Sequence, residues 1–182
     1  MIPSFAAKLA TFLSFPLFKL AVSFSGEAFM FAKSVAGLAA VFTLVVAPAV
    51  ADEIRPDTPT SVNGARIISV DEAKGLLDRK AASFFDTRSP LNFGKGHVPG
   101  ATLIAYKEKS AYAAGFDAKQ DSFDIARLPA DKKATIVIHS DGPSGWKSYK
   151  ATVLAVKAGY RNVLWMRDGY VGWTAKGFPV EH

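Results

Sequence analysis

The chain has 182 residues, which leaves room for one domain beside a targeting segment, because a single core usually organises about 100–150 residues. It contains no cysteine, which excludes disulfides, thiolate metal sites and a cysteine nucleophile. The net charge of +6 comes from basic residues scattered among acidic ones, and the three histidines lack a short metal-ligand spacing. We therefore expect no nucleic-acid partner, no metal and no cofactor.

Residues 30–51 have the pattern of a secretory signal peptide. Lys33 precedes an uncharged apolar run, which ends in the small-x-small tripeptide Ala49-Val50-Ala51. This pattern predicts cleavage after Ala51. A membrane anchor is the alternative, but the run is close to the lower limit of the ~17–25 residues that span a bilayer, and Pro48 lies near its end.

The predicted signal peptide divides the chain into segments. Residues 1–29 form an N-terminal extension that a start codon assigned too early explains most simply, although a second hydrophobic element is the alternative. Residues 52–64 contain two prolines without periodicity and are interpreted as a linker or an extended arm, followed by a folded domain over 65–182. We expect an exported protein, periplasmic in a Gram-negative source, with no stable membrane span after cleavage.

The sequence of the first half of the domain predicts a helix and two short strands. Ser69 and Glu72 have the spacing of a capping box, which predicts a helix that continues to about Arg79. The apolar run at 83–86 predicts a buried strand, and the turn cluster at 96–101 leads into a second strand over 102–105.

The second half begins with an irregular segment, 106–127, for which we predict a helix and a long loop. The clearest strand is the β-branched run at 135–139, which predicts a central strand that is covered on both faces. A helix over 147–158 follows, with Gly159 as its stop, and then a strand over 162–166 and a helical turn over 172–176.

Alternating strands and helices predict a doubly wound α/β domain, in which helices flank a central parallel sheet. Ligands of such sheets bind at the carboxyl ends of the strands. This rule directs attention to residues 86–88 and 140–148.

Several separate sequence blocks resemble one known family. They are I-S-V-D-E-A at 68–73, F-D-T-R-S at 85–89, G-H-V-P-G-A at 96–101, I-V-I-H at 136–139, A-G-Y-R-N-V at 158–163 and D-G-Y-V-G-W-T-A-K-G-F-P-V at 168–180. In order and spacing they are similar to the rhodanese domain, the sulfurtransferase fold. The resemblance implies thiosulfate sulfurtransferase activity in the family and a loop after the central strand that begins with the nucleophilic cysteine. Backbone amides and the following helix N-terminus would stabilise its thiolate.

The corresponding loop of this chain consists of Ser140, Asp141, Gly142, Pro143, Ser144, Gly145, Trp146, Lys147 and Ser148. Aligned from the strand, Ser140 takes the cysteine position; aligned from the helix, Gly142 takes it. A weaker resemblance is to exported rhodanese-like proteins that accompany quinoprotein alcohol oxidation and carry a cysteine pair before a tryptophan. Trp146 fits that group, but both cysteines are missing.

A serine hydroxyl does not replace a thiolate in sulfur transfer, because its alkoxide is far less accessible and it forms no workable persulfide. We therefore predict a catalytically degenerate domain that acts as a binding or accessory module, for a small oxyanion or an exported partner protein. The amides of Gly142, Gly145 and Lys147 and the charges of Lys147 and Lys150 would favour an anion.

Two alternatives keep an enzymatic role. One is sulfur handling together with a partner's thiol, and the other is a serine chemistry at the same loop with His139 or His97 as base. Asp86 and Arg88 are interpreted as supporting residues, through an ion pair beneath the loop, although the resemblance also allows Arg88 to face a substrate.

Overall fold

A computed structural model describes residues 55–182. The N-terminal extension and the predicted signal peptide lie outside the described residues. Five parallel strands form one sheet in the order β1-β5-β4-β2-β3. They are β1 (Ala65–Ile67), β2 (Ser83–Asp86), β3 (Thr102–Leu103), β4 (Thr135–His139) and β5 (Asn162–Trp165). The predicted α/β fold with a central parallel sheet is confirmed.

Helices cover both faces of this sheet. They are α1 (Val70–Asp78), α2 (Pro90–Gly94), α3 (Trp146–Lys157) and α4 (Gly169–Ala175). Alternate side chains of β4 point to opposite faces: Ile136 and Ile138 pack with α3, whereas Val137 packs with α1 and α4. A central strand of a parallel sheet is buried on both faces, and this explains why β4 is rich in β-branched residues. Within residues 55–182, no helix is long and apolar enough to cross a membrane.

Local signals set the helix ends. The Ser69 hydroxyl accepts a hydrogen bond from the Glu72 amide at 3.1 Å, as half of the expected capping box. The Glu72 carboxylate does not complete it and instead forms an ion pair with Arg66 at 2.7 Å. After α3, Gly159 takes a positive φ of 89°, which glycine adopts without steric cost.

Several elements differ from the sequence-based expectation: β1 was not predicted, and α4 begins three residues before the expected turn at 172–176. Strand β3 ends at Leu103, and α2, which begins after the capping residue Ser89, was not predicted. The expected helix within 106–127 is wrong, because this segment contains only a short 3₁₀ turn, Ile125–Arg127. The Asp121 carboxylate holds the segment in an irregular path by accepting hydrogen bonds from two backbone amides and two hydroxyl groups.

Residues 55–62 have no regular secondary structure and pack against the loop that follows β4. The amide and the hydroxyl of Thr58 both donate to the Pro143 carbonyl, at 2.9 and 2.7 Å. The Trp146 indole N–H donates to the Pro56 carbonyl at 2.8 Å. This part of the segment 52–64 is therefore an arm fixed across the candidate site.

Candidate functional site

The candidate site lies at the carboxyl ends of the neighbouring strands β2 and β4, where the chain leaves the two strands in opposite directions along the sheet. From β2 the chain moves to the edge strand β3, whereas from β4 it moves to β5 on the other side. A crevice forms at such a switch point, between the loops that leave the two carboxyl ends. The predicted segments 86–88 and 140–148 are therefore brought together at one edge of the sheet.

The loop after β2 is fixed by a buried ion pair. The Arg88 guanidinium makes two-pronged contacts with the Asp86 carboxylate, at 2.9 Å from Nε and 2.7 Å from Nη2. Nη2 also donates to the Gly96 carbonyl at 2.7 Å, and the Tyr170 ring lies 4.0 Å from the guanidinium carbon. Arg88 is only 3% exposed, so these contacts hold its guanidinium inside the protein.

Ser140 directly follows β4, and its hydroxyl is enclosed by the loop. Its Oγ lies 2.8 Å from Ser148 Oγ and 3.1 Å from the Gly145 carbonyl oxygen. Ser148 Oγ also accepts from the Trp165 indole N–H at 3.1 Å. Ser140 is 1% exposed, so its oxygen is occupied by internal hydrogen bonds and is not presented to solvent.

Gly145 makes this enclosure possible. A Cβ at Gly145 would collide with Ser140 Oγ and would lie 2.7 Å from the Gly142 carbonyl oxygen. At Gly142, by contrast, a Cβ would meet its nearest neighbour, the Asp168 carbonyl, at an ordinary 3.6 Å. The loop therefore closes tightly at Gly145 and not at Gly142.

The backbone amides of the loop are only partly available to an anion. The Gly145 amide, one of the expected donors, is used by the Gly142 carbonyl at 2.7 Å. The amides of Gly142 and Lys147 make no hydrogen bond within the described residues. The Asp141 carbonyl accepts from the Val171 amide at 2.8 Å, which ties the loop to α4. Two of the three predicted amide donors, those of Gly142 and Lys147, are thus not used by other protein groups in the described part of the chain.

The other loop side chains divide between packing and exposure. Trp146 is 4% exposed and packs edge-on against Tyr149, with 5.3 Å between ring centroids. Trp146 therefore packs inside the domain. Ser144 is exposed and Asp141 is partly buried. Lys147, at the first turn of α3, lines a cavity beside the loop.

Neither histidine pairs with the loop serine. His139 is completely buried, and both its ring nitrogens lack a hydrogen-bond partner within the described residues. Burial lowers the pKa of His139, the Asp86 carboxylate partly opposes this, and the Arg88 guanidinium lowers the pKa further. His97 Nδ1 lies 3.1 Å from the Phe93 carbonyl. The arrangement therefore contains no Ser–His pair.

The expected contribution of Lys150 to the loop is wrong. Its side chain is fully buried on the other side of α3, where Nζ lies 2.7 Å from Glu108 Oε1. It also donates to Ser110 Oγ at 2.9 Å and lies 3.7 Å from Asp121 Oδ2. A buried ammonium requires such counter-charges, and these come from the irregular segment 106–121.

Two pKa shifts describe this polar cluster. Burial raises the pKa of Asp121, but hydrogen bonds from the Ser110 hydroxyl, the Lys109 and Ser110 amides and the Tyr106 hydroxyl outweigh it and lower the pKa to about 2. Burial, the hydrogen bond to Asp121 and nearby negative charge raise the pKa of Tyr106 well above its usual value. The cluster therefore holds an ionised carboxylate beside a neutral phenol.

Sequence reasoning overlooked Glu108, Ser110 and Asp121. The available signal was the position of Lys150 beside Ala151 and four residues before Leu154, on the apolar stripe of α3, because a buried lysine demands acidic partners. The acidic residues of 106–121 were the natural candidates. Among residues 55–182, no group of three histidines or carboxylates is arranged to hold a metal ion.

Comparisons with known proteins identify the family of this chain. A family model described as "Rhodanese-like domain" matches residues 69–176. A putative thiosulfate sulfurtransferase of Synechococcus elongatus is 28% identical over 149 residues, which are 78% of this chain and 47% of that protein. The chain thus spans about half the length of that relative. Thiosulfate sulfurtransferase 16 of Arabidopsis thaliana is 28% identical over 114 residues, 63% of this chain and 91% of that protein.

Among solved structures, the rhodanese-like domain of an Anabaena protein matches with a TM-score of 0.48 and 22% identity over 63% of this chain and 76% of that one. A thiosulfate sulfurtransferase of Pseudomonas aeruginosa matches with a TM-score of 0.47 and 21% identity, over 65% of this chain and 20% of that one. The family model covers more than half of the sequence and includes both loops of the crevice. The chain belongs to the rhodanese-like domain family.

Proposed function

We propose that this protein is a catalytically inactive rhodanese-like domain that works outside the cytoplasm as a binding or accessory module. Its ligand is a small anion or an exported partner protein. The location rests on the signal-peptide pattern of residues 30–51.

One observation carries the proposal: a serine hydroxyl occupies the position at which sulfur transfer requires a thiolate. The residue that follows the central strand is Ser140, and the chain has no cysteine at any position. In sulfur transfer from thiosulfate, a thiolate attacks the outer sulfur, the S–S bond breaks, sulfite leaves and a persulfide remains. The Ser140 hydroxyl does not ionise near neutral pH and has no base within reach, so this first step is not available to it.

The surroundings of Ser140 support the same proposal. Besides the Ser148 hydroxyl at 2.8 Å, its oxygen contacts the Gly145 carbonyl at 3.1 Å, and the negative end of this carbonyl opposes a developing negative charge. The serine-enzyme alternative has less support, because Ser140 is buried and His139 is not hydrogen-bonded to it.

The test is a thiosulfate:cyanide assay of the purified protein, with an active thiosulfate sulfurtransferase as positive control. We expect no thiocyanate above background, and an intact mass unchanged after exposure to thiosulfate. Turnover that loop substitutions abolish, or a covalent gain of one sulfur atom, would contradict the proposal.

Ser140→Cys sharpens the test. If only the sulfur atom has been lost, this variant should become active. We expect it to remain inactive, because the new thiol would face the Gly145 carbonyl and be shielded from solvent, both of which raise a thiol pKa. Gly142→Cys, in the other register, is the matched comparison.

A further inference from the structure

The carboxyl edge of the sheet contains a second concave feature beside the loop, a cavity of about 340 Å³. Four chain segments meet there: the arm, the loop after β2, the segment after β3 and the first turn of α3. The residues that matter for its chemistry are Arg55, Ser89, Lys107, Glu108, Tyr112 and Lys147. Because it lies between the loops after β2 and β4, the cavity is at the switch point of the sheet.

The cavity is positively charged. Arg55, Lys107 and Lys147 come from three separate segments, and none has a carboxylate within 4.0 Å among the described residues. Glu108 is the only acidic residue of the lining, and its charge is offset by Lys150 Nζ at 2.7 Å. The field inside the cavity therefore favours an anion.

One wall is aromatic. The Arg55 guanidinium carbon lies 5.1 Å from the centroid of the Tyr112 ring, and this ring also packs against Trp146. The Ser89 hydroxyl accepts the amide hydrogen of Asn92 at 3.2 Å, which leaves its own hydrogen free to be donated. Cations, a hydroxyl donor and an aromatic face are the features that orient an organic anion in a pocket.

The volume of the cavity also favours an organic anion over an inorganic one. Pockets for small organic ligands measure about 300–1,000 Å³, and a value of 340 Å³ lies at the lower end of that range. A bare sulfate or phosphate would leave most of the space and the Tyr112 ring without contact.

We propose that this cavity binds a small organic anion with more than one acidic group and a flat apolar body, with Arg55, Lys107 and Lys147 as its counter-charges. The inference rests on the proposed binding role and names the ligand class for it. The arm takes part directly, because the hydrogen bonds from Thr58 to Pro143 hold the segment that carries Arg55.

The test is calorimetric titration of the protein with phthalate, benzoate and sulfate at constant ionic strength. We expect saturable phthalate binding that is about tenfold tighter than sulfate binding and tighter than benzoate binding, because phthalate offers two carboxylates and a ring. Absence of saturable phthalate binding would overturn the inference, and so would sulfate binding as tight as that of phthalate.

Single substitutions locate the site. Arg55→Gln, Lys107→Gln and Lys147→Gln should each raise the phthalate Kd about threefold to tenfold, as expected for partly exposed charge pairs. Lys133→Gln is the matched control, because it removes an exposed cation next to the opposite, amino-terminal end of β4. An equal loss of affinity in Lys133→Gln would overturn the inference, since it would reflect net charge alone.

The two proposals fail in different experiments. Thiosulfate turnover by the unmodified protein would overturn the inactive-domain proposal without changing the phthalate titrations. Failure of phthalate to bind would overturn the cavity's assignment and leave the absence of sulfur transfer as it stands.

Discussion

Two regions meet at the start of α3 and differ sharply in charge. Ser148 faces the loop, where its hydroxyl interacts with the Ser140 hydroxyl and the Gly145 carbonyl. Lys150, only two residues later, is buried in a cluster that contains the carboxylates of Glu108 and Asp121. The loop interior is thus neutral, and the neighbouring cluster is strongly charged.

This difference shows that buried charges stabilise the structure beside the loop and not within it. In the cluster, charge fixes the irregular segment 106–121 to the helix and so shapes one wall of the cavity. In the loop, hydroxyl and carbonyl groups satisfy one another, and no cationic side chain approaches Ser140 within hydrogen-bond distance. A loop of this kind is suited to holding its own shape and not to stabilising an anionic nucleophile.

The charged cluster should dominate stability. We expect Lys150→Met to lower the free energy of unfolding by about 3–5 kcal/mol, because it leaves two buried carboxylates without their counter-ion. Urea denaturation measures this change. Lys157→Met, at the exposed end of the same helix, is the control and should cost less than about 1 kcal/mol. Equal costs for the two variants would mean that the cluster contributes no more than an exposed charge.

In the neutral loop, stability should depend on how closely its atoms pack. Gly145→Ala places a methyl group against Ser140 Oγ and the Gly142 carbonyl, and we expect it to lower the free energy of unfolding by about 1–3 kcal/mol. Gly142→Ala should cost clearly less, because its methyl group would make only ordinary contacts. If both substitutions are tolerated equally, the loop is not closed as tightly as its geometry indicates.

The sequence predicted four of the five strands, all except β1, because their signals are local. The run at 135–139 is β-branched and uninterrupted, and a strand with that composition belongs at the centre of a parallel sheet. The Ser69 cap and the Gly159 stop act through neighbouring backbone groups, so they too are visible in a short window.

The polar cluster was hidden because its contacts are distant in sequence. Lys150 and Ser110 are separated by 40 positions, and the periodicity of α3 gives no sign of a partner in an irregular segment. The arm was similarly hidden, since proline-rich composition indicates extended structure but not the surface on which it lies. Loop residues were identified from the sequence, but whether a hydroxyl there faces amides or a carbonyl depends on the folded backbone.

His139 is the last residue of β4 and directly precedes the neutral loop, and its pKa provides the smallest and most specific test. Because burial lowers this pKa in the folded state, the unfolded chain binds a proton below about pH 6.5 that the folded protein does not bind. The free energy of unfolding should therefore fall as pH decreases from 7 to 5, with a slope of at most about 1.4 kcal/mol per pH unit from this residue.

Chemical denaturation at several pH values measures that slope. His139→Leu should reduce it, because leucine cannot bind the proton, whereas His182→Gln at the exposed terminus should leave it unchanged. The Asp121 carboxylate does not interfere, since its pKa of about 2 in the folded state confines its own loss of stabilisation to pH values below about 5. A slope that survives in His139→Leu would show that the proton is taken up elsewhere and that His139 is not held neutral by its burial beside the Asp86–Arg88 pair.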